Sequence, residues 1–262
     1  MPAIDPKPSI LAPIIENTAG ARHLVLDIET RKAPKEQIEL SQRFWKPPSN
    51  VKDPKKLAAR KKQGLAKLEE EAALLDGAPI GCIAFKTESE GAIFYWGKPK
   101  TAFTSIPKVP AKVFGFADER EMLIGIREWT DARAMATTII VGFNIINFDL
   151  PKLRIAYLRN RLRLPLLFMP DARAVGVEVY DVMLKHCRFF STENAGERYV
   201  KLEEVVARLG LPEYKGIVTG REVPDLLAKG HIKEVASYNW LDVASIYWVF
   251  LAQTGQYEDQ KQ

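Results

Sequence analysis

Arg22-His23-Leu24-Val25-Leu26-Asp27-Ile28 runs on into Glu29 and Thr30, with Gly20 before it and a polar stretch after it. An apolar run of this length between turn-forming residues reads as a β-strand. Alternate side chains of a strand share a face, so Asp27 and Glu29 point one way while Leu26 and Ile28 point into the opposite layer. Two carboxylates side by side repel, and one keeps its proton unless a cation intervenes. A divalent ion resolves that conflict, and Mg²⁺ is a hard ion that favours oxygen ligands. An isolated Asp-x-Glu is usually a strand end spilling into solvent, so the reading depends on what the rest of the chain adds.

Working outward, Pro79 to Lys86 and Ala92 to Trp96 read as two more strands, joined by a hairpin turn over Glu88 to Gly91. Thr137 to Phe143 is a β-branched run suited to a buried strand. Met122, Ile126 and Trp129 recur at helical spacing and predict a helix over Asp118 to Met135. Further helices are expected over Leu150 to Leu162, Lys201 to Leu209 and Ile232 to Thr254. Strands come first and then mix with helices, which implies a single α/β domain built on a mixed β-sheet flanked by helices.

That domain is expected over residues 21–254, after a flexible, proline-rich leader (1–20) and before a polar tail (255–262). A charged insertion at about 31–76 interrupts the order. Within it Pro54 to Leu75 reads as a helix, basic first (Lys55, Lys56, Arg60, Lys61, Lys62, Lys67) and acidic after (Glu69, Glu70, Glu71). A solvated face with pairs such as Lys67 and Glu71 is the plainer reading of this helix; a grip on phosphates is the other.

Bulk composition narrows the class. A hydrophobic content of 47% is that of an ordinary globular protein. The longest apolar run, Tyr247 to Ala252, falls far short of the ~18 residues a membrane span needs. The N-terminus carries no apolar signal core. Cys82 and Cys187 are too few for a disulfide framework or a cysteine-based zinc site, so a reducing cytoplasm is expected and no membrane partner. The net charge of +5 is compatible with a phosphate-backbone partner without demanding one.

Two later stretches complete the constellation: Gly142-Phe143-Asn144-Ile145-Ile146-Asn147-Phe148-Asp149 and Tyr238-Asn239-Trp240-Leu241-Asp242. Asp149 stands just before a helix with Pro151 near its start, where a lone Asp is most often an N-cap. Alternatively its carboxylate lies past the end of the Thr137–Phe143 strand, where open α/β sheets gather ligands, and reaches toward a metal held by the first strand. Tyr238 and Asp242 are four apart and share one helix face. Asp242 lies among Leu241, Val243, Ile246 and Phe250, where an unpaired carboxylate is costly to bury and a metal partner would remove the cost.

The set resembles the DEDD (DnaQ-like) superfamily of 3′-5′ exonucleases, which share a ribonuclease H-like fold. Asp27-Ile28-Glu29 matches its first motif, Asn144 with Phe148-Asp149 its second, and Tyr238 to Asp242 its third. The tyrosine is that of the DEDDy branch; the histidine branch would need His where Ser237 stands. More narrowly, the chain is similar to predicted exonucleases related to the proofreading domain of family-B DNA polymerases. The similar pieces include Tyr180-Asp181-Val182-Met183, Leu209-Gly210 and Lys215-Gly216.

The resemblance implies that Asp27, Glu29, Asp149 and Asp242 bind two divalent ions, Mg²⁺ or Mn²⁺, roughly 3.5–4 Å apart, and that Tyr238 orients the attacking water. It implies that Thr30 lies near the terminal 3′ hydroxyl, Asn144 near the scissile phosphate and Phe148 against the terminal sugar or base. The expected activity is removal of nucleoside 5′-monophosphates from the 3′ end of nucleic acid, single-stranded DNA favoured. A polymerase or another replication or repair protein is a candidate partner, in proofreading or DNA repair. The rival readings are an RNA-trimming 3′-5′ exoribonuclease and a nucleic-acid-binding subunit without turnover.

Overall fold

Strand β1 (His23–Thr30) lies inside a six-stranded mixed sheet, and the alternation read from its sequence becomes two separate cores. In this computed structural model, residues 23–47, 49, 53–134, 137–169, 177–193, 195–196, 199–212 and 218–257 are described. The expected leader at 1–20, Lys215-Gly216 and the tail beyond residue 257 lie outside them. The other strands are β2 (Ile80–Lys86), β3 (Gly91–Trp96), β4 (Lys112–Phe116), β5 (Ile139–Gly142) and β6 (Glu178–Asp181). They stand in the order β4-β3-β2-β1-β5-β6. β1 is antiparallel to β2 and parallel to β5; β2–β3 is the expected hairpin, and β4 and β6 add parallel edges.

The helices are α1 (Lys35–Phe44), α2 (Pro54–Glu70), α3 (Glu119–Asp131), α4 (Asp149–Arg159), α5 (Val182–Lys185), α6 (Leu202–Arg208), α7 (Val223–Ala228) and α8 (Ile232–Thr254). Leu24, Leu26 and Ile28 of β1 face one layer, where Met122, Ile126 and Trp129 of α3 and Leu153 and Tyr157 of α4 close over them. Val25 faces the other layer with Cys82, Ala84 and Val141, beneath Val235, Val243 and Ile246 of α8. This is the architecture of a ribonuclease H-like α/β domain: one mixed sheet with helices on both faces. No helix among the described residues is long and apolar enough to cross a membrane.

Local chemistry sets the ends of the elements. Asp118 caps α3 by accepting the Glu121 N–H at 2.8 Å. α8 stops where Gly255 takes φ 74°, a left-handed conformation that glycine adopts without a Cβ clash. β4 and β6 were not anticipated. β4 carries Gly115, where an added Cβ would meet the Tyr95 hydroxyl at 2.6 Å, so the strand holds a glycine only because β3 lays a ring across it. The insertion is a pair of helices, α1 and α2, neither with a buried residue. Lys67 faces Glu71 at 3.7 Å on α2, as the solvated-face reading expects. The base of the insertion is tied to the end of β1 by the Thr30 hydroxyl, which donates to the Ala73 carbonyl at 2.8 Å, and to α4 by Lys152 Nζ, which donates to the Leu75 carbonyl.

Candidate active site

β1 outlasts its parallel neighbour. The β1–β5 ladder ends at Val25↔Val141, and β5 stops at Gly142. Asp27 and Glu29 therefore project beyond the end of β5, at the carboxyl end of the strand, where such sheets open a crevice. On the other side they pair with Ala84 and Cys82 of β2, small residues over which α8 packs closely.

The chain leaves β5 through Asn144, at φ 56°, and Asp181 organises the loop that follows. Its buried carboxylate accepts N–H groups from Asn144 (3.1 Å), Ile146 (3.3 Å), Met183 (3.1 Å) and Leu184 (3.1 Å). Asp181 thus caps α5 and fixes the loop that delivers Asp149, a structural task the sequence reading left open. Asp149 is not the N-cap of α4: Phe148 holds that position, and the Asp149 Oδ1 accepts the Ile28 N–H of β1 at 3.1 Å. The second motif is thereby anchored to the middle of the first.

α8 brings the third. Asp27, Glu29 and Asp242 each offer a carboxylate oxygen, and these atoms all lie within 4.8 Å of one another. Asp149 stands beside this trio, not within it; its charge acts on both Asp27 and Glu29. Three converging carboxylates are a hard oxygen donor set, of the kind that suits Mg²⁺ or Mn²⁺ and not a softer ion.

Burial pushes Asp27 and Glu29 well above the usual carboxylate range; the like charges of Asp149 and Asp242 act on both in the same direction. Burial likewise raises Asp149 and Asp242 to about 7. Tyr238 is driven above its ordinary range by burial and then by Asp242, Glu29 and Asp27, so its hydroxyl keeps its proton at neutral pH.

A pH dependence follows. Asp149 and Asp242 titrate near 4 in an unfolded chain and at about 7 in the fold. Between those values the folded state holds protons that the unfolded state has released. Their contribution to stability is therefore complete below about pH 4 and is lost as pH rises through about 7. Without divalent ions, the melting temperature of the wild type is expected to fall from about pH 5 to about pH 8 more steeply than that of Asp242→Asn. Parallel curves for the two proteins would show that the acid cluster does not carry this charge strain.

A cleft of about 680 Å³ opens beside the trio. Asp27, Tyr238 and Asp242 line one part of it; Phe143, Lys201 and Arg221 line others. Tyr199, 62% exposed, also borders it. Sequence reasoning missed these four residues because only tertiary folding sets them beside the acids. Of the three residues expected near substrate, Thr30 is buried and donates its hydroxyl to the Ala73 carbonyl at 2.8 Å, which commits the side chain to the insertion. Asn144 is partly exposed, and its Oδ1 accepts from Asn147 Nδ2 at 3.1 Å. Phe148 is half-buried against the α3–α4 core, with the Lys152 ammonium 5.7 Å from its ring centre.

Asn239 was missed as well. It is fully buried on α8 between Tyr238 and Asp242, and its Nδ2 donates to Asp27 Oδ2 at 2.7 Å. The signal was present in the motif: an amide inside the apolar stripe Val235, Ala236, Trp240 and Val243 must find a partner.

A family model described as a predicted 3′-5′ exonuclease related to the exonuclease domain of PolB matches residues 108–259, more than half of the chain. The matched span contains Asn144, Asp149, Tyr238 and Asp242 and begins downstream of Asp27 and Glu29. No curated protein matches the chain.

Proposed function

The chain belongs to the family of predicted 3′-5′ exonucleases related to the exonuclease domain of PolB, and from that premise we propose that it hydrolyses single-stranded DNA from the 3′ end, releasing nucleoside 5′-monophosphates. The observation that carries this reading is the meeting of Asp27, Glu29 and Asp242 within 4.8 Å, from segments more than two hundred residues apart. Half-buried carboxylates gathered this closely without a counter-charge are a poor way to stabilise a fold and a good way to hold cations.

In the proposed site Asp27, Glu29, Asp149 and Asp242 are the residues that would hold two divalent ions. When bound, such a pair stabilises charge on the attacking and leaving oxygens of an in-line displacement. Tyr238 keeps its hydroxyl proton and hydrogen-bonds with Asp242, so it orients the attacking water instead of deprotonating it. Tyr238→Phe is then expected to lower kcat by about 10²-fold, the low end of what positioned proton-handling groups contribute, with the affinity for DNA unchanged. A kcat within a factor of two of wild type would remove Tyr238 from the mechanism.

The cleft beside the acids supports a nucleic-acid strand as substrate. Lys201 and Arg221 offer charge to phosphates, and Tyr199 and Phe143 offer ring faces to unstacked bases, a combination that reads no sequence and suits an unpaired strand. Asn144 sits at the loop where the scissile phosphate would lie, and Phe148 borders the terminal sugar. Thr30 contributes through its backbone.

The test is a digestion series on DNA and RNA with free 3′ ends, blocked 3′ ends and closed circles. Mononucleotide release from free 3′ ends of DNA alone is the expected result. Equal or faster release from RNA would make the enzyme a ribonuclease, and cutting of closed circles would overturn the 3′ polarity.

A further inference from the structure

We propose that Asn239 is a positioning residue, held by Cys82, that fixes the carboxylate of Asp27 in one orientation toward the cations. The inference rests on the reading of Asp27 as a metal ligand.

Asn239 and Cys82 are both fully buried. The Asn239 amide bridges two partners: Nδ2 donates to Asp27 Oδ2 at 2.7 Å, and Oδ1 accepts from the Cys82 Sγ at 3.6 Å. Cys82 faces Glu29 directly in the β1–β2 register, so thiol, amide and carboxylate form a short chain from β2 through α8 back to β1.

The order of the chain matters. A carboxylate accepts hydrogen bonds only, and an amide offers both a donor and an acceptor end. With its oxygen toward Asp27 the amide would repel the carboxylate. The thiol on the opposite side has a proton to give and selects the orientation that presents Nδ2 to Asp27. The Oδ2 atom is then held by a charge-assisted hydrogen bond, which sets the Asp27 carboxylate in one orientation beside Glu29 and Asp242. Partners of this kind behind a ligand set its angle and rotamer. A purely structural role would not need a donor here: a leucine of similar volume would fill the stripe of Val235, Ala236, Trp240 and Val243.

The test compares wild type, Asn239→Leu, Cys82→Ala and Cys82→Ser. Mn²⁺ affinity is measured by paramagnetic resonance of the free ion, and kcat and KM on a single-stranded oligonucleotide. Asn239→Leu is expected to weaken Mn²⁺ binding by about 10- to 100-fold and to lower kcat while KM for the strand holds. Cys82→Ala is expected to weaken Mn²⁺ binding by a few-fold, and Cys82→Ser, which keeps a donor, to restore it. A folded Asn239→Leu protein that binds Mn²⁺ as wild type does would overturn this role and leave the metal centre standing. A wild type that binds no Mn²⁺ would overturn both. If Asn239→Leu does not fold, the cysteine pair decides: equal affinities in Cys82→Ala and Cys82→Ser overturn the proposal.

Discussion

Asp27→Ala is expected to leave the protein folded and to lower turnover of a labelled single strand by about 10³-fold. The magnitude follows from the several kcal/mol by which a bound divalent ion stabilises transition-state charge; losing about 4 kcal/mol corresponds to a thousandfold loss of rate. Asp27 is the residue to remove because it is the most connected. It feels Asp149, Glu29 and Asp242 at once and alone receives the Asn239 amide.

Two effects on stability oppose each other. The substitution strands the Asn239 Nδ2 donor, which costs about 1–3 kcal/mol. It also removes one acid from a cluster in which burial and mutual repulsion oppose ionisation. Without metal, the melting temperature should therefore stay close to wild type, and circular dichroism melts alongside the turnover assay check both halves. Full activity in the folded variant would refute the site.

The second large effect is that of the cations on the fold. A ligand at about 100 times its dissociation constant stabilises the state that binds it by about 2.7 kcal/mol. In a protein of this size that raises the melting temperature by roughly 5–10 °C. Saturating Mn²⁺ is expected to produce this rise in the wild type, and excess chelator to reverse it and abolish turnover together. In Asp27→Ala most of the rise disappears. A wild-type melting temperature indifferent to Mn²⁺ and Mg²⁺ would mean that the converging carboxylates are held together by something else.

Much of this was legible in the chain. β1 is read correctly because its alternation serves two buried layers, and α8 because its twenty-three residues carry an apolar surface to a glycine stop. The β2–β3 hairpin follows from the same period. The short parallel edges β4 and β6 are strands only because a neighbour pairs with them; neither carries a buried run of its own. α1 has no buried residue, so no core contact fixes it in place.

At the site the acids themselves were legible as residue types in order, but their supports were not. That Asp149 bonds to Ile28 instead of capping its own helix depends on the β1–β5 ladder ending at Val25, three residues before Ile28. That Thr30 gives its hydroxyl to Ala73 depends on where the insertion returns. The roles of Asp181 and Asn239 are visible only once their partners are brought beside them from other elements. Local pattern carries the acids of such a site, and the residues that hold them in place are set by tertiary contacts.

The most direct measurement uses the purified wild-type protein with a single-stranded oligonucleotide labelled at its 3′-terminal nucleotide, in Mg²⁺ and in Mn²⁺. Immediate release of label as a nucleoside 5′-monophosphate, ahead of any loss of the 5′ portion of the strand, is the predicted result. A strand that keeps its label in both metals while still binding the protein would contradict hydrolysis and leave a nucleic-acid-binding subunit in its place.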